Sequence, residues 1–149
     1  MAATILNYLE GEARDSRGRL ITEIWSQDDW YWEQTHDFIQ WLFPLNEKSR
    51  AVGNTPILSD TDIRIIRDSE TAVLNLAKSS ERYKEFLQRT DKWQAPYNHN
   101  HLRITRVIKS LRLLADDDSA NGFKYWIATQ LGDGIDRINA ESRRFWRLA

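Results

Sequence analysis

Residues 36–45 read HDFIQWLFPL, and this stretch decides the fold of the chain. Seven of its ten side chains are apolar. At helical spacing they extend an apolar pattern over several faces, with stripes formed by Tyr31, Phe38 and Leu42; by Trp32, His36, Ile39 and Phe43; and by Trp30 and Trp41. A helix that is apolar over most of its surface is usually buried in a domain. The pattern predicts one central, Trp-rich helix over residues 27–43, ended by Pro44 because a residue before proline avoids helical geometry.

The rest of the chain also favours helices. Apolar residues recur at helical spacing behind capping residues, and only six glycines and three prolines interrupt the chain. Helices are predicted over 20–25, 60–67, 70–89, 98–115, 120–131 and 135–147, with an irregular connection at 44–58. The prediction is an all-α, compact single-domain bundle of about six or seven helices around the central helix. Residues 1–19 are interpreted as a polar N-terminal lead-in, and residues 20–149 as the helical domain.

Composition narrows the functional classes. The chain has 149 residues, a net charge of −1, and 41% hydrophobic and 29% charged residues, which is typical of one globular domain. It has no cysteine, so disulfides, thiol catalysis and cysteine-ligated zinc are excluded. Its apolar runs are too short to span a bilayer, and its N-terminus does not resemble a secretory signal. These features predict a cytoplasmic protein without a cofactor and leave the oligomeric state open.

Two stretches carry a resemblance to a known family. The first is HDFIQWLFPL at 36–45, and the second is Trp93 followed by NHNHLRITRVIKSL at 98–111. Both resemble signatures of the opioid growth factor receptor conserved region. The first signature of that family is a His, a polar residue and an aromatic residue, followed by Ile-Gln-Trp-Leu-Phe-Pro. The later signature is a Trp that precedes His-Asn-Asn-Leu-Arg-Ile-Thr-Arg-Ile-Leu-Lys-Ser-Leu. The order and approximate separation of the motifs agree, and the resemblance extends from about Trp30 to Leu114.

The resemblance implies binding rather than chemistry. Eukaryotic members are named for binding a short opioid peptide, restrain cell growth, and associate with the nucleus and nuclear envelope although they lack ordinary membrane spans. They also carry long C-terminal extensions. For this chain the resemblance implies a peptide or protein partner, and a nuclear or nuclear-envelope-associated location if the source is eukaryotic. It carries over no particular binding residue.

The tryptophans supply the leading functional hypothesis. Seven tryptophans in 149 residues are several times the usual share, and aromatic side chains anchor partners in grooves. Trp30, Trp32 and Trp41 point to different sides of one predicted helix, so they do not all fit one core layer. We expect a non-enzymatic module that binds a peptide or protein partner in an aromatic-lined groove beside this helix. The expected partner-binding residues are Trp30, Trp32, His36, Trp41, Trp93, His99 and His101.

A basic segment supplies an alternative. Residues 78–112 hold nine lysines and arginines against three acids, with Trp93 and Tyr97 interleaved. Basic residues beside stacking aromatics bind nucleic acids or acidic partners. The alternative function is such binding through a basic face of the 98–115 helix, formed by Arg103, Arg106, Lys109 and Arg112. The competing interpretation is a solvated helix face that pairs with the acidic first third of the chain.

The three histidines supply a second alternative. If the 98–115 helix packs on the central helix, His36, His99 and His101 approach one another, as in a metal site of a metal-assisted enzyme. Against a metal site, His99 and His101 point apart if both lie on a helix. Against nucleophilic catalysis, the chain has no Gly-x-Ser-x-Gly elbow. On a helix, His36 and its neighbour Asp37 also diverge by about 100°. The simpler interpretation makes His36 partly buried and hydrogen-bonded to the 98–101 segment.

Overall fold

Nine α-helices build the part of the chain that the structure describes. The computed structural model describes residues 2–49, 53 and 55–149. The helices are α1 (Ala2–Leu9), α2 (Ile21–Trp25), α3 (Asp29–Gln34), α4 (Ile39–Leu42), α5 (Asp60–Arg67), α6 (Glu70–Gln88), α7 (Asn100–Leu114), α8 (Asp117–Leu131) and α9 (Ala140–Leu148). Two 3₁₀ turns span Lys92–Gln94 and Gly132–Arg137. The all-α class is confirmed, with more and shorter helices than predicted. None of the described helices has both the length and the apolar character needed to cross a membrane.

The predicted central helix is wrong in one respect that shapes the whole molecule, because it is broken in two. Thr35, directly after α3, is extended with φ −95° and ψ 128°, and helical geometry resumes only in α4. The carboxylate of Asp37 lies in this break and binds Arg17 and Arg19 at 2.8 Å each. These charge-assisted bonds to an earlier segment therefore keep the residues between α3 and α4 out of a continuous helix. Apolar periodicity does not reveal such a constraint.

The predicted boundary at residue 20 does not separate a lead-in from the domain. Ile5, Tyr8 and Leu9 of α1 are fully buried, and this helix packs against α4, α5 and α6. The ring of Tyr8 lies edge-on to the ring of Trp41, with 5.3 Å between their centroids. The first helix is therefore part of the same core as the helices that follow.

Local sequence signals place the middle helices correctly. Ser59 and Asp62 form a reciprocal capping box before α5, and Ser69 caps α6. Both helices, and α7 after them, begin and end within two residues of the predicted positions. The apolar stripe of α7 faces the core and consists of Ile104, Val107, Ile108, Leu111 and Leu114.

The connection predicted at 44–58 is irregular where the structure describes it. Leu45 and Ile57 form an isolated parallel bridge. Residues 50–52 and 54 lie outside the described residues. Lys109 binds Glu47 at 3.0 Å, so the segment that follows α4 lies beside α7.

Replacing Asp37 by alanine tests whether its ion pairs hold the break between α3 and α4. The change deprives the largely buried Arg19 of one of its two carboxylate partners. We expect the free energy of unfolding in urea to fall by about 1–3 kcal/mol, the usual cost of removing one side of a charged hydrogen bond. The control Asp133→Ala, at an exposed position, should change it by less than about 0.5 kcal/mol. Equal losses in both variants would contradict this role of Asp37.

Candidate binding groove

A half-open groove of about 140 Å³ lies between α4, with the segment after it, and one side of α7. Each of the two sequence motifs contributes one wall. The first wall includes His36, Ile39, Gln40 and Leu45. The second includes His99, Leu102, Arg106 and Lys109. Phe145 of α9 also lines the groove. Because the two walls belong to different helices, the shape of the groove depends on how α7 is attached to α3 and α4.

Arg103 attaches α7 to the end of α3. Its guanidinium donates hydrogen bonds to the carbonyl oxygens of Trp32 and Thr35. The last carbonyls of a helix lack partners within that helix and attract cations. Arg103 is only 6% exposed, and burial lowers the pKa of its side chain. It is a structural cross-link between the two motifs.

Arg106 and Ser110 attach α7 to the end of α4. The Nε of Arg106 donates to the carbonyl of Phe43 at 2.8 Å, and its Nη2 lies 3.5 Å from the carbonyl of Gln40. The hydroxyl of Ser110 donates to the carbonyl of Pro44 at 2.9 Å. Burial lowers the pKa of Arg106 to about 10, so the side chain stays protonated at neutral pH. One polar face of α7 thus satisfies the carbonyl ends of two short helices.

The predicted basic face of α7 is therefore not a free cationic surface. Arg103 and Arg106 are 6% and 8% exposed and point at backbone carbonyls. The other two residues are more exposed but bind acidic side chains of the same chain: Lys109 with Glu47 at 3.0 Å, and Arg112 with Asp117 at 2.9 Å. Helical spacing places Arg103 and Arg112 on opposite sides of α7, and it does not show that the side carrying Arg103 and Arg106 faces the first motif.

His36 and His99 meet in the groove. Their ring centroids are 4.9 Å apart and the rings pack edge to face. The expected contact between the two motifs is found as ring packing, not as the predicted hydrogen bond, and His36 is exposed where partial burial is predicted. Because His36 lies in the break after α3, the helical argument that separated it from Asp37 does not apply.

The surroundings of both groove histidines favour their neutral forms. Burial, followed by the positive charge of Arg103, lowers the pKa of His36 and of His99. The Nε2 atom of His99 lies 3.1 Å from Oε1 of Glu33, but the two atoms are not aligned for a hydrogen bond. The pair therefore supplies polar, polarisable surface rather than charge.

His101 belongs to the core and not to the groove. It is 3% exposed, its Nε2 lies 2.8 Å from the carbonyl of Trp93, and its Nδ1 lies 3.2 Å from the hydroxyl of Ser142. Both ring nitrogens are thus occupied, and burial lowers the pKa of this histidine. Within the described residues, no group of three or more His, Cys, Asp or Glu side chains is arranged to hold a metal ion. The predicted clustering of three histidines is wrong.

The predicted tryptophan lining is also wrong. Trp32, Trp41 and Trp93 are at most 6% exposed and belong to the core. Trp30 is 71% exposed but is not among the groove residues. The break after α3 changes the direction of the chain, so Trp32 and Trp41 both face inward. The aromatic part of the groove comes from its two imidazoles and Phe145.

Nine of the fourteen residues that line the groove are not among the predicted site residues, and two of these, Leu102 and Gln40, bear on what the groove can bind. Leu102 is 47% exposed, and its only signal is that it is apolar but lies outside the apolar stripe of α7. Gln40 is 5% exposed, and its side-chain oxygen has no hydrogen-bond partner among the described residues. The only signal for this glutamine is its place in the first motif, since polarity alone does not distinguish it from a surface glutamine.

This geometry defines an all-α domain in which buried arginines join two motifs around a shared groove. The sequence profile of the opioid growth factor receptor (OGFr) conserved region matches residues 15–88. The chain belongs to this family. The matched range includes the first motif and ends before the second.

Two relatives show how much of a longer protein this domain represents. Opioid growth factor receptor-like protein 1 from Mus musculus is 29% identical over 114 residues, which cover 63% of this chain and 24% of the mouse protein. The opioid growth factor receptor from Homo sapiens is 28% identical over 109 residues, which cover 61% of this chain and 16% of the human protein. The match therefore spans a quarter or less of these relatives. No solved structure matches the chain.

Exchanging Arg103 for lysine tests the cross-link between α3 and α7. Lysine keeps the positive charge, but it has one nitrogen in place of the two guanidinium nitrogens that separately reach the carbonyls of Trp32 and Thr35. We expect the free energy of unfolding to fall by about 2–3 kcal/mol, because at least one buried carbonyl loses its donor. The control Arg112→Lys changes a surface pair and should cost less than about 1 kcal/mol. A loss no larger for Arg103→Lys than for the control would disprove the cross-link.

The protein should lose stability as the pH falls from 7 to 5. Burial lowers the pKa of all three histidines in the folded protein. The unfolded chain therefore binds protons first, near the ordinary histidine pKa of about 6.5, and this favours unfolding below that pH. His101, which is 3% exposed, contributes a slope of up to about 1.4 kcal/mol per pH unit, and the two more exposed groove histidines contribute less because solvent screens them. Urea unfolding at pH 7, 6 and 5 measures the slope, which His101→Gln should reduce. A flat profile would contradict the assignment.

Proposed function

We propose that this chain is a non-enzymatic binding module that holds an extended peptide segment of a protein partner in the groove between α4 and α7. The observation that carries the proposal is the groove itself, to which both motifs contribute. It combines apolar side chains with a few polar and cationic ones, as ligand sites in proteins generally do.

The size of the groove supports a peptide over a compact small molecule. Its volume of about 140 Å³ is below the roughly 300–1,000 Å³ typical of small-molecule pockets. Such a space accommodates one or two side chains of a longer segment that continues across the open side. Leu102 offers the partner an exposed apolar contact, and Phe145 lies in the same groove.

The name of the human relative supports the same class of ligand. That protein is called the opioid growth factor receptor, which describes a receptor for a growth factor. The matched region is 16% of the human protein, so the proposal takes from it a peptide or protein ligand and no particular peptide.

Selection of random nine-residue peptides displayed on phage, with the whole chain as bait, tests the proposal. We expect enriched peptides to bind in the groove and to lose at least about tenfold in affinity to a Leu102→Asp variant, because a carboxylate then replaces an apolar contact. Fluorescence anisotropy with the synthesised peptides measures the affinity.

Leu74→Asp is the matched control for this experiment. Leu74 is an equally apolar residue on α6, 55% exposed, and it does not line the groove. Its variant should bind the enriched peptides as the original chain does. Failure to enrich any peptide, or equal losses in both variants, would disprove the proposed function.

A further inference from the structure

We propose that the segment held in the groove carries a glutamate or aspartate side chain, whose carboxylate displaces Glu47 from Lys109. This inference rests on the proposed function and names the chemistry of the ligand. The partner is thus an acidic peptide segment with an apolar residue beside the acid.

The charged side chains of the groove are mostly cationic. Its charged lining consists of Lys48, Arg103, Arg106 and Lys109 against the single acid Glu47. Arg103 and Arg106 bind carbonyl oxygens. Glu33 attracts Arg103 and Glu47 attracts Arg106 from beyond ion-pair distance, so the four cations still outnumber the acids near them. Carbonyl dipoles do not neutralise a full charge, so the groove keeps a positive potential that favours an anionic ligand.

The Lys109–Glu47 ion pair lies at the exposed part of the groove. The two charged atoms are 3.0 Å apart, and the side chains are 37% and 53% exposed. Exposed ion pairs contribute at most about 1 kcal/mol, so another carboxylate can replace Glu47 at small cost. Since Glu47 presents its carboxylate from a segment lying beside α7, a glutamate on a neighbouring peptide can present the same group in the same way.

Gln40 supports a peptide ligand independently of charge. Gln40 is 95% buried, it lines the groove, and its side-chain oxygen has no hydrogen-bond partner among the described residues. Buried polar atoms normally have a partner. The missing partner is a donor. Because this oxygen is itself buried, a backbone N–H of an extended peptide reaches it when the amide of Gln40 turns toward the groove. The groove therefore offers an acceptor for the peptide backbone beside cations for its acidic side chain.

The enriched phage peptides, synthesised with acetylated and amidated ends, provide the test. We expect them to share an acid at a fixed distance from an apolar residue, and to lose about two- to fivefold in affinity when that acid becomes its amide. Lys109→Gln should weaken binding by a similar factor. Glu47→Gln should strengthen it, because Lys109 then has no internal competitor. Lys92→Gln, at an exposed lysine outside the groove, is the control and should leave affinity unchanged.

The outcomes separate this inference from the proposed function. If no peptide is enriched, both fail together. If the enriched peptides bind in the groove but lack an acid, or if Glu47→Gln weakens binding, the inference alone is overturned. The inference alone is also overturned if binding requires a free C-terminal carboxylate in place of an acidic side chain. Restored binding when Lys109→Glu is combined with a glutamate-to-lysine change in the peptide would support the direct pair.

Discussion

Two buried guanidinium groups that bind backbone carbonyls are the interaction on which the rest of this structure depends. A break between two short helices leaves carbonyl groups without partners in the interior, and buried arginines without hydrogen bonds would be equally costly. Arg103 and Arg106 donate hydrogen bonds to these carbonyls, so the buried donors and the buried acceptors satisfy one another. This exchange fixes α7 against the broken helix, and the groove is the space that remains beside the contact.

The middle of the fold is predictable from sequence because its signals are local. The capping box before α5, the serine cap of α6 and the apolar stripe of α7 each involve residues within a few turns of one another. The break after α3 is not predictable in this way. It depends on Asp37 binding two earlier arginines and on Arg103, which lies 71 positions after the carbonyl it binds at Trp32. Apolar periodicity continues through residues 35–38 although the helix does not.

In the candidate site, too, some features are predictable from sequence and others are not. The approach of His36 to His99 follows from the order of two recognisable motifs, and the structure contains it. Which cations remain available to a partner does not follow from spacing, because a buried arginine and an exposed one occupy equivalent positions in a helical pattern. The tryptophans illustrate the reverse error, since three of the four residues expected to face a ligand complete the core instead. Many polar and aromatic residues of the two motifs stabilise the fold, and the proposed ligand contacts lie between them.

Hydrogen exchange of arginine side-chain N–H groups, followed by NMR in the intact chain, tests this account most directly. The Nε–H of Arg106 is bonded to the carbonyl of Phe43, and the side chain is buried. Arg112 binds its partners through its terminal nitrogens only and is more exposed. The account predicts that the Nε–H of Arg106 exchanges at least about tenfold more slowly than that of Arg112, as expected for a buried, bonded group. Equal exchange rates at the two sites would contradict the claim that buried arginines join the two motifs.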